Sequence, residues 1–111
     1  MNIKQNEPLI IAHRGGKGPA PENTIEACRL ALKRGANALE VDIRLCGSGE
    51  LVLLHDRSLK RHFGQSKLVC RTGWDEIKKL EFNQQAYSTP GRVTTLDHFL
   101  EEFGKKVPLI L

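Results

Sequence analysis

The sequence has no run approaching the ~18 consecutive apolar residues that a membrane-spanning helix requires, so no helical membrane span is expected. Met1 to Pro8 holds no apolar signal core, which argues against secretion by a standard signal. Cysteine is scarce and odd in number. Cys28, Cys46 and Cys70 make no CxxC pair, so neither a disulfide framework nor a zinc knuckle follows, and reduced thiols in a cytoplasm are the plain reading. One Trp, one Tyr and four Phe leave little to stack on bases. There is no long tract of one charge. Seventeen Lys and Arg against thirteen Asp and Glu give +4, with short clusters only at Lys78-Lys79 and Lys105-Lys106. Nucleic-acid binders gather Lys and Arg on one face, so no nucleic-acid partner is expected, while a mild excess suits an anionic small substrate. There is no internal repeat or low-complexity tract, and 111 residues allow one domain at most.

What is present reads as strands alternating with helices. Leu9-Ile10-Ile11-Ala12 is a continuous apolar run after Pro8, the pattern of a strand buried on both faces. Asn23 with Glu26 forms a capping-box signal for a helix carrying Ile25, Cys28 and Leu32, closed by Gly35. Residues 38–45 alternate at period two, placing Leu39, Val41, Ile43 and Leu45 on one face and Glu40, Asp42 and Arg44 on the other. Gly47-Ser48-Gly49 turns the chain into a second arm, Leu51-Val52-Leu53-Leu54, predicting a hairpin that ends at His55-Asp56. Thr72 with Asp75 predicts a helix bearing Trp74, Ile77 and Leu80. Thr94 with Asp97 predicts another bearing Leu96, Phe99, Leu100 and Phe103, ended by Gly104, before an apolar strand over 107–111. This order predicts a parallel α/β sheet.

Several polar residues fall where such a sheet does chemistry. Glu40 and Asp42, two apart on a strand, lie on one side with Cα atoms about 6.6 Å apart. Two carboxylates that close repel unless a cation or a proton intervenes. A hard divalent cation, Mg²⁺ or Ca²⁺, is the natural guest; an edge strand with both acids in water is the other reading. His13 and Arg14 sit where a buried strand meets a Gly-rich loop, the carboxyl end at which parallel α/β folds place their sites. Arg matches phosphate oxygens with a rigid fork of donors, and His moves protons near neutral pH; loop residues bonding to backbone would look the same. His55 closes the hairpin beside Asp56, which can orient its ring. His62 and His98 have no such setting, and His98 reads as surface. Gly15-Gly16-Lys17-Gly18 could cradle a phosphate, although it has neither the P-loop nor the dinucleotide spacing.

The order of these motifs is more specific than any one of them. His13-Arg14-Gly15, then Pro21-Glu22-Asn23-Thr24, then Glu40-Val41-Asp42, then His55-Asp56 thirteen residues after Asp42 resembles the N-terminal part of the glycerophosphodiester phosphodiesterase family. Gly35-Ala36, Gly49 and Thr95-Leu96 add supporting matches, and the likeness runs from Leu9 to Leu111. The resemblance implies a TIM-barrel-type α/β fold with a hairpin after the second strand, residues 1–111 forming an N-terminal portion of that domain. It implies hydrolysis of a glycerophosphodiester to glycerol 3-phosphate and an alcohol, the glycerol hydroxyl attacking to give a cyclic phosphate that water opens. By position, His13 and His55 match the acid/base pair, Arg14 the phosphate clamp, Glu22 and Asn23 pocket residues, and Glu40 and Asp42 ligands of the cation.

The chain departs from the family pattern at Cys46 and Ser48-Gly49, where Thr and Asp-Gly are usual, which alters the turn. In the family a further acidic metal ligand and a Lys follow an apolar run like Leu109-Ile110-Leu111, and a full barrel needs about 250 residues. Little activity is therefore expected of these 111 residues alone, and the open edge at 107–111 is expected to invite self-association. The alternative is a non-catalytic half-barrel that pairs with another chain or only binds ligand. A barrel phospholipase of the sphingomyelinase D type shares the His pair and metal, but its secreted, disulfide-bearing context does not match these cysteines.

Overall fold

A computed structural model of the chain describes residues 8–16, 18–83 and 86–111. Residues 1–7, and Lys17 of the glycine-rich stretch, lie outside the described residues. In chain order the elements are β1 (Ile11–Ala12), α1 (Ile25–Lys33), β2 (Ala38–Glu40), β3 (Ile43–Leu45), β4 (Leu51–Leu53), α2 (Lys60–Phe63), α3 (Trp74–Ile77), α4 (Leu96–Phe103) and β5 (Leu109–Ile110), with 3₁₀ turns at His13–Gly15 and Val69–Arg71. β1, β2 and β5 form a parallel sheet in that spatial order, and β3 pairs antiparallel with β4. Ile11 lies opposite Ala38, Leu39 opposite Leu109, and Ile43 opposite Leu53. Parallel neighbours require long crossovers. Here α1 lies on the connection from β1 to β2, and the hairpin and α2–α4 lie on that from β2 to β5.

The alternating run 38–45 is not one strand. Val41 donates its N–H to Ile110 O at 3.0 Å, while Asp42 O accepts from Leu54 N at 3.1 Å. The chain thus leaves the parallel sheet and enters the hairpin between these two residues. The apolar face fades accordingly: Leu39 and Val41 are buried, Ile43 is half-buried and Leu45 is exposed. β1 is also shorter than its apolar run. Leu9, Ile10 and Ile11 are exposed and only Ala12 is buried, because among the described residues β1 has a strand beside it on one side only.

Three predicted caps move by one residue. Thr24, not Asn23, caps α1 by accepting the Ala27 N–H, since Asn23 has φ 59° and its side chain turns elsewhere. α3 starts from Gly73 and stops at Ile77; the Thr72 hydroxyl donates back to Leu68 O at 2.8 Å. Thr95, not Thr94, caps α4 by accepting the His98 N–H.

Two apolar clusters result. One packs Ala12, Leu39, Val41 and Leu53 against Ile25 and Cys28 of α1 and Phe99 and Phe103 of α4. The other gathers Val52, Leu54, Leu59, Val69, Ile77, Phe82 and Val93 around the hairpin. Among the described residues no helix is long and apolar enough to cross a membrane.

Candidate active site

The carboxyl ends of β1 and β2 meet at one carboxylate. After Ala12 the chain tightens into the 3₁₀ turn, with Arg14 at φ 54°, Gly15 at 73° and Gly16 at 110°. Left-handed backbone is costly for a side chain such as Arg14. Glu40 Oε1 holds it there by accepting the Arg14 N–H at 2.7 Å, and Asn23 donates its N–H to Arg14 O at 2.7 Å. The same Glu40 oxygen lies 3.1 Å from His13 Nδ1.

The Arg14 guanidinium then gathers the remaining acids. Its Nη1 donates to both Glu22 oxygens at 3.3 and 3.5 Å. Nε lies 3.7 Å from Asp42 Oδ2, an ion-pair distance beyond hydrogen bonding. Asn23 brackets Asp42: its Nδ2 donates to Asp42 Oδ2 at 3.2 Å, and its Oδ1 accepts the Asp42 N–H at 3.0 Å. Glu22 also accepts from Arg61 Nη2 at 3.1 Å and faces His62 Nε2 at 3.7 Å. Burial works to raise the Glu22 pKa, but the hydrogen bond and charge of Arg61, with Arg14 and His62, outweigh it and keep it ionised.

His55 stands at the end of the hairpin. Its Nδ1 lies 2.8 Å from Asp56 Oδ1, and its carbonyl accepts Nε and Nη2 of Arg44 at 3.0 and 2.7 Å. Hydrogen bonds from Arg61, opposed by burial and aided by His55, hold the Asp56 carboxyl well below the usual carboxylate range. The two loops are therefore joined as His55–Asp56–Arg61–Glu22–Arg14. Along this chain and its branches the structure brings together His13, Arg14, Glu22, Asn23, Glu40, Asp42 and His55. Both imidazoles face outward, His13 with 64% and His55 with 43% of its side chain exposed.

Sequence reasoning missed Arg61 and His62. His62 is buried against Phe82, with ring centroids 5.0 Å apart, and lies near Phe63 and Tyr87. The run Lys60-Arg61-His62-Phe63 carries no local signal for either role, because Glu22, Phe82 and Tyr87 are brought to it by the fold, although Asp56 lies only five residues before Arg61.

Glu40 and Asp42 suit a hard divalent cation in kind. Among the described residues no hydrogen bond reaches Glu40 Oε2 or Asp42 Oδ1, so each acid has an oxygen to offer. Among the described residues no group of three or more His, Cys, Asp or Glu is arranged to hold a metal. Glu40 and Asp42 could therefore give one oxygen each to such a cation, and no third ligating side chain is arranged with them among the described residues.

The sequence profile of the Glycerophosphoryl diester phosphodiesterase family matches residues 13–110. A glycerophosphodiester phosphodiesterase of Caldanaerobacter subterraneus is 41% identical over 102 residues, covering 88% of this chain and 41% of that protein. The crystal structure of a glycerophosphoryl diester phosphodiesterase from Parabacteroides distasonis superposes with a TM-score of 0.82 at 31% identity, covering 92% of this chain and 36% of that one. An Oleispira antarctica phosphodiesterase in complex with the product sn-glycerol-3-phosphate gives 0.74 at 33% identity, covering 92% and 43%. The chain spans less than half the length of each of these relatives.

Proposed function

The chain belongs to the glycerophosphoryl diester phosphodiesterase family, and we propose that residues 1–111 form part of a barrel enzyme that hydrolyses glycerophosphodiesters to glycerol 3-phosphate and an alcohol. Its α/β fold is the corresponding portion of the TIM-barrel-type domain of its structural relatives. The observation that carries the reading is that two histidines pair in the same way with carboxylates of one charge network. A carboxylate faces His13 at Nδ1 and another faces His55 at Nδ1. Among the described residues neither Nε2 has a protein partner.

On this reading one Nε2 accepts the proton of the attacking hydroxyl, and the other donates a proton to the leaving alcohol oxygen as the P–O bond breaks. Arg14 offers guanidinium donors to the phosphoryl oxygens. Glu22 and Asn23 shape the site by holding Arg14 and Asp42. Glu40 and Asp42 would hold a divalent cation, Mg²⁺ or Ca²⁺, which when bound supplies charge neutralisation at the phosphoryl oxygens. The free thiols of Cys28, Cys46 and Cys70 suit a reducing compartment such as the cytoplasm. The open edges of the parallel sheet suit self-association of the 111-residue chain.

The test is glycerol 3-phosphate release from glycerophosphocholine by the intact protein, with Mg²⁺ or Ca²⁺ and after chelation. We expect cation-dependent turnover that falls about 10²–10⁴-fold in His13→Ala and in His55→Ala, and loss of cation dependence in Glu40→Ala. Absence of turnover with either cation overturns the reading.

A further inference from the structure

One side chain joins the two loops of the site. Arg61, on α2, places its guanidinium between Asp56 and Glu22. Nε donates to Asp56 Oδ2 at 2.7 Å and Nη2 to Asp56 Oδ1 at 3.0 Å, a two-pronged grip on one carboxylate. Nη2 is also 3.1 Å from Glu22 Oε2. Asp56 Oδ1 meets His55 Nδ1 at 2.8 Å, and Glu22 accepts from Arg14 Nη1 at 3.3 Å. A carboxylate held by both prongs of a guanidinium stays ionised and has no proton to give. The bond between Asp56 and His55 therefore needs its proton on Nδ1. In the neutral ring this leaves Nε2 with a lone pair, facing away from Asp56.

We infer that Arg61 is a positioning residue: through Asp56 it fixes His55 as the Nδ1-protonated tautomer, and through Glu22 it holds the guanidinium of Arg14. The inference rests on reading His55 as a proton-transfer group. Without Arg61 the Asp56 carboxylate keeps, among the described residues, only its bond to His55 and is free to rotate. Glu22 then retains only Arg14 and the more distant His62. The His55 tautomer and the Arg14 pose loosen together, because Arg61 acts on both through the two carboxylates it binds.

The test measures imidazole ¹⁵N shifts of His55 in the intact protein at neutral pH, beside glycerophosphocholine turnover. In the wild type the Nδ1-protonated form is expected to dominate. In Arg61→Met its share falls measurably below the wild-type value, and kcat drops about 10–100-fold, as for other residues that orient a reacting group, while KM changes little. A folded Arg61→Met protein with the wild-type melting temperature and an unmoved His55 tautomer overturns the inference. Should Arg61→Met fail to fold, Arg61→Gln, which keeps polar contact without charge, supplies the tautomer measurement instead, and an unmoved His55 there overturns the inference equally. The tautomer is read without turnover. A wild type that lacks hydrolysis but whose tautomer responds to Arg61 sinks the functional reading alone. Hydrolysis with an unresponsive tautomer sinks this inference alone.

Discussion

At the scale of single residues, the site turn depends on a contact that only glycine permits. Gly15 has φ +73°, and a Cβ there would lie 2.7 Å from Cys28 Sγ. Cys28 is fully buried, and burial, with the charge of Glu26, pushes its thiol up to about 12, so it packs as an uncharged apolar group. Gly15→Ala therefore carries two costs, left-handed backbone at about 1 kcal/mol and overpacking at about 1–3 kcal/mol. Denaturant unfolding of Gly15→Ala in wild-type and Cys28→Ala backgrounds separates them. The second background should recover the packing part only, and equal losses in both would show that the Cys28 contact is not the cause. His62 gives a pH dependence. Burial first, and then the charge of Arg61, lower its pKa from 6.5, against the opposing pull of Glu22 and Asp56. The unfolded chain thus takes up a proton on His62 at a higher pH than the folded protein does. Stability should fall as pH drops below about 6.5, and His62→Phe, which suits the surrounding rings, should flatten that fall. Denaturation midpoints at pH 7.5 and 5.5 that differ equally in both proteins would refute the assignment.

At the scale of elements, adjacent residues Asn23 and Thr24 divide two tasks. Thr24 caps α1, whereas Asn23 brackets Asp42 from a left-handed position. Thr24→Ala should cost about 1 kcal/mol of stability and leave turnover nearly unchanged. Asn23→Gly tolerates the backbone but frees Asp42, and should lower kcat about tenfold. Unfolding and turnover measured on both variants check the split, and a larger stability loss with no kinetic change in Asn23→Gly would reverse it. The same pair marks the limit of what the sequence made legible. Hydrophobic period located α1, the hairpin, α4 and the strand before Leu111, but it could not choose between neighbouring cap candidates, because the choice turns on whether Asn23 is needed elsewhere. Alternation continued unbroken through Val41 and Asp42, so the crossing from one sheet to the other left no trace; it is set by the carbonyl of Ile110 and the N–H of Leu54. α2 and the 3₁₀ turn at Val69–Arg71 are too short to show a period. His13, Arg14, Glu40 and Asp42 were legible as motif residues at strand ends. Arg61 and His62 were not, because Glu22, Phe82 and Tyr87 reach them only through the tertiary fold.

At the scale of the whole molecule, the edges of the parallel sheet lie open among the described residues. The helices α1 and α4 cover the side of Leu39 and Val41 with Ile25, Cys28, Phe99 and Phe103. The order β1-β2-β5 leaves both outer strands with unpaired edges among the described residues. Leu9, Ile10, Ile11, Ile110 and Leu111, on or beside those strands, are each 42–61% exposed. Exposed apolar strand edges recruit another chain unless a charge, a proline or a cover blocks them; here Pro8 and Pro108 precede the edge strands and no charged side chain lies within Leu9–Ala12 or Leu109–Leu111. The 111-residue chain taken by itself should therefore associate, with a weight-average mass in sedimentation equilibrium that rises with concentration. Ile10→Lys and Leu111→Lys place a charge beside each open edge and should shift the equilibrium toward monomer, while the His13–Glu40 and His55–Asp56 pairs, which use neither side chain, remain in place. A wild-type chain that sediments as a monomer across the whole range would mean that the exposed strip does not drive assembly.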